Sequence, residues 1–124
     1  MVNYKGFRDL KVYQLSFQLA VEIFEVSKHF PKEEKYSLTD QIRRSSRSVS
    51  ANISEAWSKR RYSKHFVYKL TDSDGEASET TVWLNFSLNH EYINKETHDY
   101  FTGKYSEVGK MLGSMIKNPE KFCY

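Results

Sequence analysis

The sequence has few of the residues that interrupt or cross-link a chain: one cysteine, two prolines and five glycines among 124 residues. The single thiol, Cys123, cannot close an internal disulfide and suits a reducing, cytoplasmic compartment. No stretch approaches the roughly 18 consecutive apolar residues of a spanning helix, and the polar residues after Met1 differ from a signal peptide. We therefore expect a cytoplasmic protein without a membrane partner, folded as one domain over residues 1–124.

Residue patterns that carry catalysis or hold cofactors are also missing. The four histidines match no HExxH or Cys-His arrangement, and there is neither a GxSxG motif nor a glycine-rich phosphate loop. A di-iron bundle would need Glu-x-x-His on two helices, and the sequence contains no such pair. We expect no enzymatic activity, no metal and no cofactor.

Apolar residues recur at helical spacing through most of the chain, which predicts four helices. These are expected at about residues 9–30, 37–61, 63–91 and 94–118. Asp9, Ser37 and Asn94 are the expected N-caps, with Asp40 completing a variant of the capping box. Short connections make successive helices antiparallel neighbours, so the predicted fold is an all-α, up-down-up-down four-helix bundle.

Two of the predicted helices have more apolar surface than a monomeric bundle buries. The second apolar face of the first helix contains Leu10, Tyr13, Phe17, Ala20 and Phe24. That of the third contains Tyr68, Gly75, Val82, Phe86 and Ile93. We expect a second copy to cover these faces in a homo-oligomer with closed cyclic symmetry. The alternative is that the aromatic side chains wrap the edge of a single bundle.

Charge is distributed unevenly along the middle of the chain. Residues 32–64 hold nine Lys or Arg against four Asp or Glu, whereas residues 65–99 hold two against seven. Two explanations stay open: neighbouring helices of opposite sign attract one another, or the basic segment meets an external anion.

Six basic residues are predicted to form an outer ridge on the second helix and just beyond it, beside Trp57 and Tyr62. They are Arg43, Arg47, Lys59, Arg60, Arg61 and Lys64. Basic residues interleaved with aromatic ones are typical of phosphate contact and base stacking. We interpret the ridge as a candidate RNA- or DNA-binding site, with an ordinary solvated helix face as the alternative.

A polar stripe lies beside the core-facing stripe of the second helix. It contains Gln41, Arg44, Ser48, Asn52 and Glu55. A charged residue buried there would need a partner from another helix or subunit. Our hypothesis is that Arg44 pairs with Glu76 or Glu79 of the acidic third helix and thereby fixes the helix register. The alternative is a mostly hydrated stripe.

Three segments carry a family resemblance: FRDLKVYQLSFQLAVEIF, FPKEEKYSLTDQIRRSSRSVSANISEAW and GEASETTVWLNFSLNHEYI. The chain resembles the four-helix-bundle proteins named for open reading frames in intervening sequences of bacterial 23S ribosomal RNA genes. It departs from them at Ser50, where many members have Pro, and at Ala56 with Trp57, where Gly is usual. The resemblance implies an antiparallel bundle that forms a homopentameric ring and has no catalytic activity.

The chain is also similar to the accessory variability determinant of diversity-generating retroelements, which works beside a reverse transcriptase and has a basic surface suited to nucleic acid. The sequence therefore predicts a non-enzymatic oligomer that binds RNA or DNA through basic patches. The alternative is an interaction scaffold that recruits a partner such as a reverse transcriptase, without nucleic-acid affinity of its own.

Overall fold

In the computed structural model, residues 4–124 are described, and within that range the chain is helical and contains no strand. The long helices are α1 (Lys11–Ser27), α2 (Leu38–Ser58), α3 (Ser63–Asn89) and α4 (Lys95–Lys117). Short 3-10 helices lie at Phe7–Asp9, Lys32–Glu34 and Pro119–Lys121. The all-α prediction with four helices is confirmed, and the helix ends lie within three residues of the predicted ones.

The start of α2 is capped by a residue that the sequence analysis did not name. Ser37 precedes the helix, but its hydroxyl donates to Glu34 Oε1 at 2.5 Å. The same carboxylate oxygen accepts the Leu38 N–H at 3.3 Å. The hydrogen bond from Ser37 is the main cause that lowers the pKa of Glu34. The predicted capping box between Ser37 and Asp40 is therefore wrong, because Glu34 takes its place.

Of the other two predicted N-caps, Asn94 caps its helix and Asp9 does not. Asn94 caps α4 as predicted, since its side-chain oxygen accepts the Thr97 N–H at 2.8 Å. Asp9 lies in the preceding 3-10 helix, where its carboxylate accepts the Lys5 N–H at 2.7 Å. It therefore closes the turn before α1 instead of capping α1.

The four helices enclose one apolar core. α2 contacts α1 and α3, and α4 contacts α3 and α1. The largest fully buried apolar side chains are Leu19, Ile23, Ile42, Val49, Ile53, Phe66, Leu70, Leu84, Phe101, Val108 and Leu112. Within each helix these residues are four, seven or fourteen positions apart, a spacing that places them on one core-facing stripe. Within residues 4–124, no helix is both long enough and apolar enough to cross a bilayer.

Hydroxyl side chains fill the contact between α2 and α3. The hydroxyl oxygens of Ser45 and Thr80 lie 2.8 Å apart, and both residues are fully buried. Ser73 of α3 donates to the main-chain oxygen of Val49 in α2 at 2.8 Å. A side chain as short as serine reaches the main chain of a neighbour only when the two helices pack closely. The serines of α2 thus allow close packing.

Hydroxyl side chains also lie in the contact between α1 and α2. The hydroxyl oxygens of Ser16 and Ser50 lie 3.1 Å apart in the interior. Further along, Arg43 Nε donates to Ser27 Oγ at 2.7 Å. Of these two pairs, the one with the later residue of α1 contains the earlier residue of α2.

In the single chain, the second apolar face of α3 remains largely exposed and that of α1 is partly exposed. Phe17 is 52% exposed, and Val82 and Phe86 are 46% and 48% exposed. Two residues assigned to these faces are instead buried, because Leu10 lies just before α1 and Ile93 lies between α3 and α4, where both fold into the core.

We expect Ser45→Leu to lower the free energy of unfolding by about 1–3 kcal/mol, because it forces a larger side chain into the packed contact with α3. Urea denaturation measures the change. The exposed Ser106→Leu in α4 is the control, and it should shift stability by less than about 0.5 kcal/mol. Equal losses in both variants would contradict close packing at Ser45.

Candidate nucleic-acid interface

The six basic residues of the predicted ridge fall into two separate groups. Arg43 and Arg47 lie within α2, whereas the other four follow its last residue or open α3. Lys59 lies 12 positions after Arg47, which corresponds to about 18 Å along a helix axis. The structure therefore does not bring the six together as one surface.

Arg43 and Arg47 face α1 and not away from the bundle. Their guanidinium carbons lie 4.5 Å and 5.5 Å from the centre of the Phe24 ring. A cation over an aromatic face stabilises by about 0.5–1 kcal/mol at an exposed site. Together with the hydrogen bond from Arg43 to Ser27, this arrangement gives the pair a role in the contact between α1 and α2.

Four basic residues form what we call the basic end cluster, at the end of the bundle where α2 connects to α3. They are Lys59, Arg60, Arg61 and Lys64. All are exposed except Arg60, which is half-buried. None of the four makes an ion pair with a carboxylate in the part of the chain that the structure describes. Among residues 4–124, no carboxylate lies within ion-pair distance of these four positive charges.

Aromatic side chains hold Arg60 in place. Its guanidinium carbon lies 3.7 Å from the centre of the Trp57 ring and 5.0 Å from that of Tyr124. Its Nε donates to the main-chain oxygen of Trp57 at 2.8 Å. Tyr4 packs edge-on against Trp57 from the other terminus of the chain. An arginine fixed in this way loses less conformational freedom when it binds a phosphate group.

Tyr62 adds an exposed aromatic surface to the basic end cluster. Its ring is 58% exposed and lies 5.5 Å from that of His65. Exposed tyrosines beside Lys and Arg provide a stacking surface for unpaired bases. The cluster thus combines the two groups that single-stranded nucleic acid recognition uses.

Arg44 lies against the two carboxylates that the sequence analysis named as its candidate partners. Its Nη2 is 2.9 Å from Glu79 Oε1, and its Nη1 is 3.5 Å from Glu76 Oε2. Gln41 Oε1 accepts a further bond from Arg44 at 3.5 Å. These contacts of Arg44 lie within one chain. The Arg44 side chain is about half exposed, so the polar stripe of α2 is partly hydrated. Burial raises the pKa of Glu76, while Arg44 acts in the opposite direction.

Glu55 and Asn52 have partners that the sequence analysis did not name. Glu55 Oε2 lies 2.8 Å from Lys69 Nζ, with Asp72 on the other side of the same cation at 3.6 Å. The hydrogen bond that Lys69 donates to Glu55 is the main cause that raises the pKa of Lys69. Asn52 donates to the Ser48 carbonyl inside its own helix. Lys69 was recognisable as one of two basic residues in the acidic stretch 65–99.

No group of three His, Cys, Asp or Glu side chains among residues 4–124 is placed to hold a metal ion. The half-buried thiol of Cys123 has a raised pKa because of burial. A raised pKa lowers the thiolate fraction, which is the form that reacts as a nucleophile.

Four helices around a core that includes serine hydroxyls, with a basic end, define a small all-α bundle protein. Residues 8–114 match the family of 23S rRNA-intervening sequence proteins, and the chain belongs to this family. The resemblance seen in the sequence is thereby confirmed.

A solved structure supports the same assignment. The fold is similar to that of a protein with unknown function from the S23 ribosomal protein family of Bacteroides thetaiotaomicron. The two chains are 34% identical, with a TM-score of 0.77 over 86% of this chain and 95% of the other. Among curated proteins, none matches this chain significantly.

We expect Arg44→Ala to lower the free energy of unfolding by about 0.5–1 kcal/mol near pH 7, because Glu76 and Glu79 lose their shared cation. Removing the cation raises the pKa of Glu76 further in the folded state, because Arg44 acts to lower it. A carboxyl with a raised folded-state pKa regains stability as the pH falls through that pKa. The loss should therefore shrink near pH 4, as measured by urea denaturation at both values.

Lys110→Ala is the control for Arg44→Ala. Lys110 is exposed in α4 and makes no ion pair within the described residues. Its removal should leave stability nearly unchanged at either pH. A loss for Arg44→Ala that is independent of pH would show that the two carboxylates are not its functional partners.

Proposed function

We propose that this protein is a non-enzymatic, cytoplasmic bundle that assembles into a homopentameric ring and binds RNA or DNA through the basic end cluster. Its helices run antiparallel, up-down-up-down. The opposed numbering of the pairs Ser16 with Ser50 and Arg43 with Ser27 supports this topology. The exposed apolar faces of α1 and α3 support the assembly.

The observation that carries the proposal is the basic end cluster itself. Its four cations make no ion pair with a carboxylate within residues 4–124, and one of them, Arg60, is held against two aromatic rings. Phosphate contacts by such cations release counterions, which supplies affinity without sequence preference. Exposed Tyr62 gives a base somewhere to stack. In a ring, the cluster is repeated in every subunit, so weak contacts add through their effective concentration.

A scaffold that recruits a protein such as a reverse transcriptase is the second candidate. The exposed apolar side chains of α1 and α3 favour it, because contiguous exposed apolar surface marks interaction sites. Binding measurements with nucleic acid separate the two candidates.

We expect the protein to bind labelled RNA and DNA with an affinity that falls steeply with salt. Three phosphate contacts to duplex DNA would weaken binding about 40-fold between roughly 50 and 200 mM salt. Arg60→Glu with Arg61→Glu should weaken binding at low salt at least about tenfold, because two cations become anions. Fluorescence anisotropy measures the affinity, and light scattering should show an unchanged oligomer.

Lys32→Glu with Lys35→Glu is the matched control, because it makes the same charge change at the opposite end of α2. It should retain most of the affinity. Equal loss in both double variants would assign binding to net charge alone. The absence of binding at low salt would overturn the nucleic-acid proposal and leave the scaffold.

A further inference from the structure

An apolar groove of about 460 Å³ runs between α1 and α2. Its lining includes Tyr13, Phe17, Val21 and Phe24 of α1 and Ala51 of α2. Phe17 and Val21 are about half exposed in the single chain. Arg47 stands at one end of the groove with its guanidinium over Phe24. The groove is thus an apolar trough with a basic end.

An apolar ridge runs along the outer face of α3. Tyr68, Val82 and Phe86 are exposed on it, at 69%, 46% and 48%. Gly75 lies on the same face, and a Cβ atom added there would meet nothing within 4 Å among the described residues. Glycine in mid-helix is destabilising, and no contact inside the chain requires it. A second molecule would be able to approach the α3 backbone closely at Gly75, because glycine has no side chain there.

The groove and the ridge lie on different sides of the bundle. Within residues 4–124, α1 and α3 do not contact each other, so they occupy opposite corners. The two surfaces of one chain therefore cannot meet, but those of two chains can. A contact between unlike surfaces is heterologous, and it closes into a ring when the rotation permits.

Charge at the two surfaces is complementary. Arg43 and Arg47 border the groove, and neither makes an ion pair in the described part of the chain. Asp72 and Glu79 border the ridge on the same face of α3, with side chains 43% and 33% exposed. Lys69 and Arg44 contact them within the chain, but residues 65–89 hold four carboxylates against one lysine, so this side of the molecule keeps an excess of negative charge. If the two surfaces meet, an apolar trough with cations meets an apolar ridge of opposite net charge, which favours one partner and register.

We propose that the α3 ridge of a second copy occupies the groove between α1 and α2, so that each chain gives a groove to one neighbour and a ridge to the other. The inference rests on the ring assembly proposed above and names the surfaces that build it. Cyclic symmetry points every subunit the same way. All copies of the basic end cluster then lie on one face of the ring, as a single multivalent surface.

Complementation between two variants tests this arrangement. Phe17→Asp places a charge in the groove, and Phe86→Asp places one on the ridge. Each variant alone should be monomeric by native mass spectrometry, because one side of every contact is lost. An equal mixture should give a heterodimer of twice the 14.7 kDa chain mass, since one variant keeps its groove and the other keeps its ridge. This heterodimer should add no further subunits.

Ser114→Asp, at an exposed position of α4, is the matched control and should keep the wild-type mass. Circular dichroism checks folding, and Val21→Asp with Val82→Asp repeats the test on the same two surfaces. Disruption by Phe17→Asp alone would indicate that α1 of the second copy fills the groove, and would overturn the proposal. A wild-type monomer that carries a bound small molecule would also overturn the proposal.

Two further outcomes separate this inference from the ring proposal. A wild-type ring whose variant mixture stays monomeric would overturn the inference and leave the ring intact. A wild-type chain that is monomeric without any ligand would overturn both.

Discussion

The close packing of α2 against α1 and α3 is the contact on which the rest of the structure depends. Ser73 reaches the main chain of α2 at Val49, and Ser16 meets Ser50 in the interior. Serine takes little volume, and its hydroxyl bonds to a nearby oxygen, so helices come close without leaving buried polar atoms unpaired. A larger residue at these positions would separate the helices and open the core between them.

This packing also decides which charges are neutralised. On the side of α2 that faces α3, Arg44 meets carboxylates and Glu55 meets Lys69. On the side that faces α1, Arg43 lies over an aromatic ring. Beyond Ser58 the helix ends, and the basic residues that follow have no carboxylate beside them in the described chain. The candidate site is therefore a consequence of where α2 stops.

Much of the fold and part of the candidate site were predictable from the sequence. Helical periodicity located all four helices, because apolar spacing reflects which face is buried. It placed Arg43 on an outer ridge, whereas Arg43 packs against α1, because a helical wheel gives angles around one helix and no information about its neighbours. The cap of α2 was missed for a similar reason, since Glu34 reaches the helix from the preceding turn.

The sequence by itself determined the helices, the family and the sign of the charge on each segment, since these depend on residue type and local spacing. Only the tertiary structure decided which charges are paired. Glu55 and Lys69, a pair that the sequence analysis did not name, are 14 positions apart yet in contact at 2.8 Å. Such a pair depends on which helices are adjacent and in what register, and ion-pair energies change steeply over a few ångströms. The packing of α2 against α1 likewise places Arg43 and Arg47 over Phe24 and away from the basic end cluster.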